Sequence, residues 1–129
     1  MSQFELAPGQ ILDLLRSLNS MPDIVIKTAI TRTIANIALD DNLDPAIGEQ
    51  ALEILSNVRL ICQFKSNEIN EQVVRALANI SVGEGFKGLV GRKEWIDYLF
   101  YCTNIENNTR LRLSALVALG NITTSGKNP

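Results

Sequence analysis

Three copies of one five-residue phrase decide the fold of this chain: Thr33-Ile34-Ala35-Asn36-Ile37, Ala76-Leu77-Ala78-Asn79-Ile80 and Ala118-Leu119-Gly120-Asn121-Ile122. The asparagines of the first two copies lie 43 residues apart, and those of the last two lie 42 residues apart. Each copy ends a stretch in which aliphatic and small residues recur every three or four positions, which is typical of an amphipathic helix. Helices that repeat with a period in the low forties predict an all-α chain of stacked units.

A second apolar stretch precedes each of these long helices, and it predicts further helices over Gln10–Leu18, Gln50–Phe64 and Lys93–Cys102. The turns between the paired helices are rich in Asn, Ser and Asp, which favour helix starts, and Pro22 fits the first turn of a helix. Two segments bounded by glycine or proline, Asp44–Gly48 and Gly85–Gly91, lie between the units. Each predicts a separate one-turn helix.

The composition is that of a folded domain. Of the 129 residues, 46% are hydrophobic and 20% are charged, which is ordinary for a globular protein. A net charge of -2 offers no broad basic surface, so we expect no binding to nucleic acid. Arg59 and Lys65 interrupt the longest apolar stretch, so we expect no membrane span. The N-terminus lacks the pattern of a secretory signal, which predicts an intracellular, cytoplasmic protein, with the nucleus as an alternative.

Residues that commonly carry catalysis are scarce. The chain has no histidine, the commonest general base, and no serine or cysteine with an evident activating partner. Cys62 and Cys102 form no CxxC pair, so we expect reduced, structural thiols without a metal. The sequence therefore predicts a protein that is not an enzyme and has no cofactor.

The three phrases, in register with their preceding helices, resemble the armadillo-repeat family, whose units hold a short, a medium and a long helix. The resemblance implies a right-handed α-solenoid of about three repeats, with the two-helix HEAT repeat as the alternative. Residues 1–42 would form a repeat lacking its first helix, 43–83 and 84–124 two further repeats, and 125–129 a tail, all in one continuous domain. Neither end is visibly capped, which predicts a segment of a longer protein or ends that associate with each other.

The same resemblance implies a concave groove lined by the long helices, whose asparagines bond the backbone of an extended peptide, as in importin-α and β-catenin. An amide offers both a donor and an acceptor for such bonds. The alternative is that each asparagine ties its own helix end to an adjacent loop. Residues one and two turns before the asparagines share their helix faces. The candidate partner-binding residues are therefore Arg32, Asn36, Arg75, Asn79, Val117, Asn121, Thr28 and Glu71.

The side chains at these positions indicate what kind of protein segment would bind. Importin-α usually carries tryptophans one turn before the asparagines, and this chain has Arg32, Arg75 and Val117 there, with its single Trp95 on another helix. Arginines favour a protein segment that carries carboxylates or phosphates, unless they are ordinary surface charges. The function predicted is that of a protein-binding scaffold. The alternatives are a structural or chaperone arm similar to the UCS-type myosin chaperones, and an armadillo-type regulator of a small GTPase.

An aromatic cluster in the third unit has two interpretations. Its helical spacing favours packing in the core, and an exposed binding patch is the alternative. The cluster comprises Phe86, Trp95, Tyr98, Phe100 and Tyr101.

Overall fold

All regular secondary structure in the described part of the chain is α-helical. A computed structural model describes residues 7–39, 44–62, 66–82, 87–106 and 108–123. The helices are α1 (Pro8–Leu18), α2 (Ile24–Ile37), α3 (Pro45–Cys62), α4 (Asn67–Ile80), α5 (Lys87–Val90), α6 (Lys93–Thr103) and α7 (Thr109–Thr123). No strand occurs within these residues, which confirms the predicted all-α class. The predicted tail, 125–129, lies outside the described residues.

The long helices α2, α4 and α7 begin at the polar turns, as predicted. Their first backbone N–H groups need side-chain acceptors, because no helical carbonyl lies ahead of them. Those acceptors are Asp23, Ser66 and Asn108, which bond the backbone N–H of Val25, Ile69 and Leu111 at 2.8, 3.2 and 3.0 Å. Pro22 precedes the cap of α2 and is not in its first turn, where the sequence had suggested it.

One predicted helix boundary is wrong. The segment Asp44–Gly48 does not form a separate turn, because it runs without a break into the 18-residue helix α3. Asp44 caps this helix by accepting from the N–H of Ala46 at 2.9 Å, and Pro45 takes its first position. Gly48 costs the helix only about 1 kcal/mol relative to alanine, too little to end it. In the third unit, by contrast, α5 is a separate short helix ahead of α6.

Helix α4 lies at the centre of the packing. It packs against both α2 and α7, while α1 packs against α3 and α6 against α7. The predicted aliphatic faces of the long helices are largely buried, with exposures of 1% or less at Ile30, Val73, Leu77 and Leu111. Ala29 was predicted to belong to the buried face of α2, and it is exposed. The three helices that carry the repeated phrase are therefore neighbours in the order in which they follow along the chain.

The aromatic cluster divides between core and surface. Trp95 and Tyr98 are 1% and 2% exposed, which confirms the core interpretation for these two residues. The guanidinium of Arg59 lies over both rings, 5.5 and 5.7 Å from their centroids, in cation–π contact. Phe100 is 55% exposed and does not belong to the core. Phe86 lies outside the described residues.

Candidate partner-binding groove

Asparagines of the repeated phrase join one long helix to the next. Nδ2 of Asn79 donates to the carbonyl of Ala35 at 2.9 Å, and Nδ2 of Asn121 donates to the carbonyl of Ala78 at 3.2 Å. Both carbonyls belong to the last turn of a helix, where the backbone acceptors run out of helical donors. Each of these two asparagines therefore caps the C-terminal end of the preceding long helix and does not bond an adjacent loop.

This arrangement decides what the amides can still offer a partner. One N–H of the Asn79 amide and one N–H of the Asn121 amide are engaged within the fold, and each amide keeps a second N–H. No described residue donates to either side-chain oxygen, so both Oδ1 atoms can accept. From these two positions a bound peptide would find an oxygen that accepts from its N–H groups and one remaining amide N–H that donates to its carbonyls.

Arg75 is held in place across the junction of α2 and α4. Its Nη2 donates to Oδ1 of Asn36 at 2.8 Å, and its Nη1 donates to Oε1 of Gln72 at 3.1 Å. A guanidinium carries five N–H donors in a rigid plane, so two bonds to amide oxygens fix its orientation while leaving others available. Asn36 thus serves as an anchor for Arg75, a role that differs from that of Asn79 and Asn121.

Ion pairs also bridge successive long helices. Arg32 of α2 faces Glu68 of α4 at 3.6 Å, and Arg110 of α7 faces Glu71 of α4 at 4.0 Å. The side chain of Arg110 is 86% exposed, so water screens this pair and its net stabilisation is at most about 1 kcal/mol. Both pairs are loose contacts that an incoming charged group could replace.

A pocket of about 280 Å³ lies between α4 and α7. Four of the predicted binding residues line it, and the structure brings them together from two helices. They are Glu71, Arg75, Asn79 and Val117, and they share the pocket with Gln72, Ala78, Arg110 and Ser114. The pocket combines two guanidiniums with one carboxylate, an amide oxygen and an apolar side that includes the 57% exposed Val117.

The remaining predicted residues lie outside this pocket. Thr28 is only 7% exposed, and its hydroxyl donates to the carbonyl of Ile24 at 2.8 Å, so it adds little accessible surface. Arg32 and Asn36 are exposed on α2, on the far side of Arg75. Asn121 is joined to α4 through Ala78, a residue that does line the pocket.

Sequence reasoning missed two cations that repeat in register, Lys27 and Arg112, each nine residues before a phrase asparagine. Nζ of Lys27 donates to the carbonyl of Asn19 at 3.0 Å, at the end of α1. Nε of Arg112 donates to the carbonyl of Thr103 at 3.0 Å, at the end of α6. Both cations satisfy acceptors at a helix C-terminus, where positive charge is favoured. Their common spacing from the asparagines was the available signal.

No helix in the described ranges is long and apolar enough to cross a bilayer. Among the same residues, no group of three or more His, Cys, Asp or Glu side chains could hold a metal ion. Comparison with protein-family models, curated proteins and solved structures finds no match.

Proposed function

We propose that this chain is an armadillo-type solenoid segment that acts as a protein-binding scaffold. It would hold an extended, acidic segment of another protein in the groove between α4 and α7. One observation carries the proposal: four residues selected from the repeat pattern, Glu71, Arg75, Asn79 and Val117, line a single pocket. The serial packing of α2, α4 and α7, with asparagine bonds between neighbours, supports the solenoid assignment.

The polar groups of the groove match those of an extended backbone. Such a backbone presents N–H and C=O groups along its length, and both need partners when it binds. The oxygens of Asn79 and Asn121 can accept from the N–H groups. The guanidinium of Arg75, oriented by Asn36 and Gln72, can donate to a carbonyl or a carboxylate. The groove thus supplies both kinds of partner from different side chains.

The charges favour an acidic segment. Arg75 and Arg110 face the pocket together with a single carboxylate, that of Glu71. The contact between Arg110 and Glu71 is 4.0 Å long, beyond ordinary hydrogen-bond length, so a carboxylate of the partner could bind Arg110 in the stronger bidentate geometry. Val117 would contact an apolar side chain next to the acidic one. A basic segment would instead meet two guanidiniums.

A selection from a library of short unstructured peptides tests this proposal. The full chain is used as bait beside two charge-reversed variants, Arg110→Glu and Lys93→Glu. Lys93 is the matched control, because its side chain is also 86% exposed but lies on α6, outside the pocket. We expect acidic peptides with an apolar residue to be enriched, and Arg110→Glu to weaken their binding about tenfold or more, equivalent to about 1.4 kcal/mol.

The control defines what would contradict the proposal. Lys93→Glu should leave peptide affinity unchanged, and added salt should weaken the wild-type interaction because charged groups at the rim are screened. Equal losses in both variants would show that net charge alone attracts the peptides. Enrichment of basic peptides, or binding of a folded GTPase domain with no peptide selected, would overturn the proposed groove.

A further inference from the structure

One face of α7 is exposed where the same face of α2 and α4 is covered. The repeat period aligns Thr31 of α2, Val74 of α4 and Leu116 of α7. Thr31 and Val74 are 0% exposed, whereas Leu116 is 54% exposed. We call this side of each long helix the trailing face. On α7 it comprises Arg112, Leu116, Gly120 and Thr123, all of them exposed.

The difference has a structural cause. Another long helix follows α2 and another follows α4, and each packs against its predecessor. Within the described residues nothing packs on α7 in the corresponding way. A methyl group placed on Gly120 would have no neighbour within 4 Å, which shows how open this face is. The trailing face of α7 is therefore equivalent to the faces on which α4 and α7 pack, but no described helix packs on it.

Helix α2, the first long helix of the described residues, presents the matching surface. On α4, the residues that reach back to α2 are Glu68, Arg75 and Asn79, and we call this side the leading face. Gln72 lies between these residues on the same face of α4. By the 43-residue period, the equivalent residues of α2 are Val25, Ala29, Arg32 and Asn36. All four are exposed, and Val25 reaches 72%. The leading face of α2 has no helix in front of it among the described residues.

We propose that the leading face of α2 docks on the trailing face of α7 in a second copy of this chain, so that copies stack head to tail. No described residue accepts a hydrogen bond from Nδ2 of Asn36. In the docked pair this amide takes the position that Asn79 and Asn121 have within the chain, at the C-terminal end of the preceding long helix.

The side chains at the new junction suit each other. Within the chain, Glu68 on the leading face of α4 pairs with Arg32 of α2 at 3.6 Å. At the new junction the counterparts of these two residues are Val25 and Val117, which are 72% and 57% exposed. An apolar contact thus replaces an ion pair at the same place in the stack. Association would remove these exposed apolar side chains from water, which is the main driving force for such contacts.

Sedimentation velocity of the full chain at increasing concentration tests head-to-tail stacking. One variant, Val25→Lys with Ala29→Lys, blocks the leading face, and another, Leu116→Lys with Gly120→Lys, blocks the trailing face. Leu60→Lys with Phe100→Lys adds the same charge at exposed residues of α3 and α6 and serves as the control. None of the substituted residues lines the pocket between α4 and α7, so peptide binding and stacking can fail separately.

We expect the wild type and the control to form growing assemblies, because a head-to-tail contact repeats without closing. Each blocked variant should remain a monomer alone. An equimolar mixture of the two blocked variants should give a species of twice the monomer mass, because one intact leading face meets one intact trailing face. A monomeric wild type, a blocked variant that still assembles, or a mixture that stays monomeric would each overturn the proposal.

Discussion

At Asn79, the side-chain amide points back to the preceding helix and bonds the carbonyl of Ala35. The repeat period singled out this asparagine, because it recurs at one helical position three times. The period could not show which atoms the amide bonds, since that depends on the distance between packed helices. Lys27 and Arg112 illustrate the same limit, because their partners are carbonyls at the ends of other helices.

Replacing Asn79 with alanine should destabilise the fold. The carbonyl of Ala35 would lose its donor at the α2–α4 junction, and a hydrogen bond of this kind contributes about 1 kcal/mol to stability. Urea unfolding followed by circular dichroism measures the loss. Asn67→Ala is the matched control on the same helix, because no described residue bonds the side chain of Asn67. Equal free energies of unfolding for the two variants would show that the hydrogen bond between Asn79 and Ala35 makes no net contribution to stability.

At the scale of helices, α6 is fixed to α4 by a buried polar contact. The hydroxyl of Tyr98 donates to Oδ1 of Asn70 at 2.7 Å, and Cys102 lies one turn further along α6 with 0% exposure. Burial raises the pKa of the Cys102 thiol to about 12 and also raises the pKa of Tyr98. The aromatic spacing predicted that Tyr98 belongs to the core. It could not predict Asn70 as the partner, because that residue lies in another unit.

The raised pKa values predict a loss of stability at alkaline pH. The folded chain keeps the Cys102 thiol and the Tyr98 hydroxyl protonated, whereas the unfolded chain releases the thiol proton near its ordinary pKa of 9.0. Stability is therefore full below pH 9 and falls as pH rises above it, because the unfolded state then binds fewer protons. Urea unfolding between pH 7.5 and about 11 measures this slope. Cys102→Ala should reduce the slope to the part that Tyr98 contributes, and an unchanged slope would contradict this origin.

Helix boundaries show why local signals were not always sufficient. Glycine and proline flank both predicted short helices, yet only α5 is separate, and Asp44–Gly48 joins α3. Pro45 suggested a short helix that would end before α3, but a proline at the first position favours the helix that follows it. Pro45 therefore marks the start of α3 and no second boundary. The turns with Asp23, Ser66 and Asn108 were predicted more reliably, because capping chemistry is local to the turn itself.

At the scale of the whole molecule, the period of the phrase predicted that α2, α4 and α7 would be equivalent, and the structure packs them in that order. The structure also brings together four residues that the period selected, and they line one candidate groove: Glu71, Arg75, Asn79 and Val117. The sequence did not predict Arg110 as a groove residue. Its position there depends on how α7 packs against α4, and no pattern within α7 indicates it. Val117 lines the groove and is also a contact residue at the proposed junction between copies, so peptide binding and stacking share this side chain.

The most direct test of the proposed groove is an NMR titration of the full, isotope-labelled chain with a peptide from the selection. We predict that amide shifts move along residues 71–79 of α4 and 110–121 of α7, around the pocket. The outer helices α1, α3 and α6 should change little. Shifts concentrated on those outer helices, or none at saturating peptide, would contradict the assignment of this groove as the partner-binding surface.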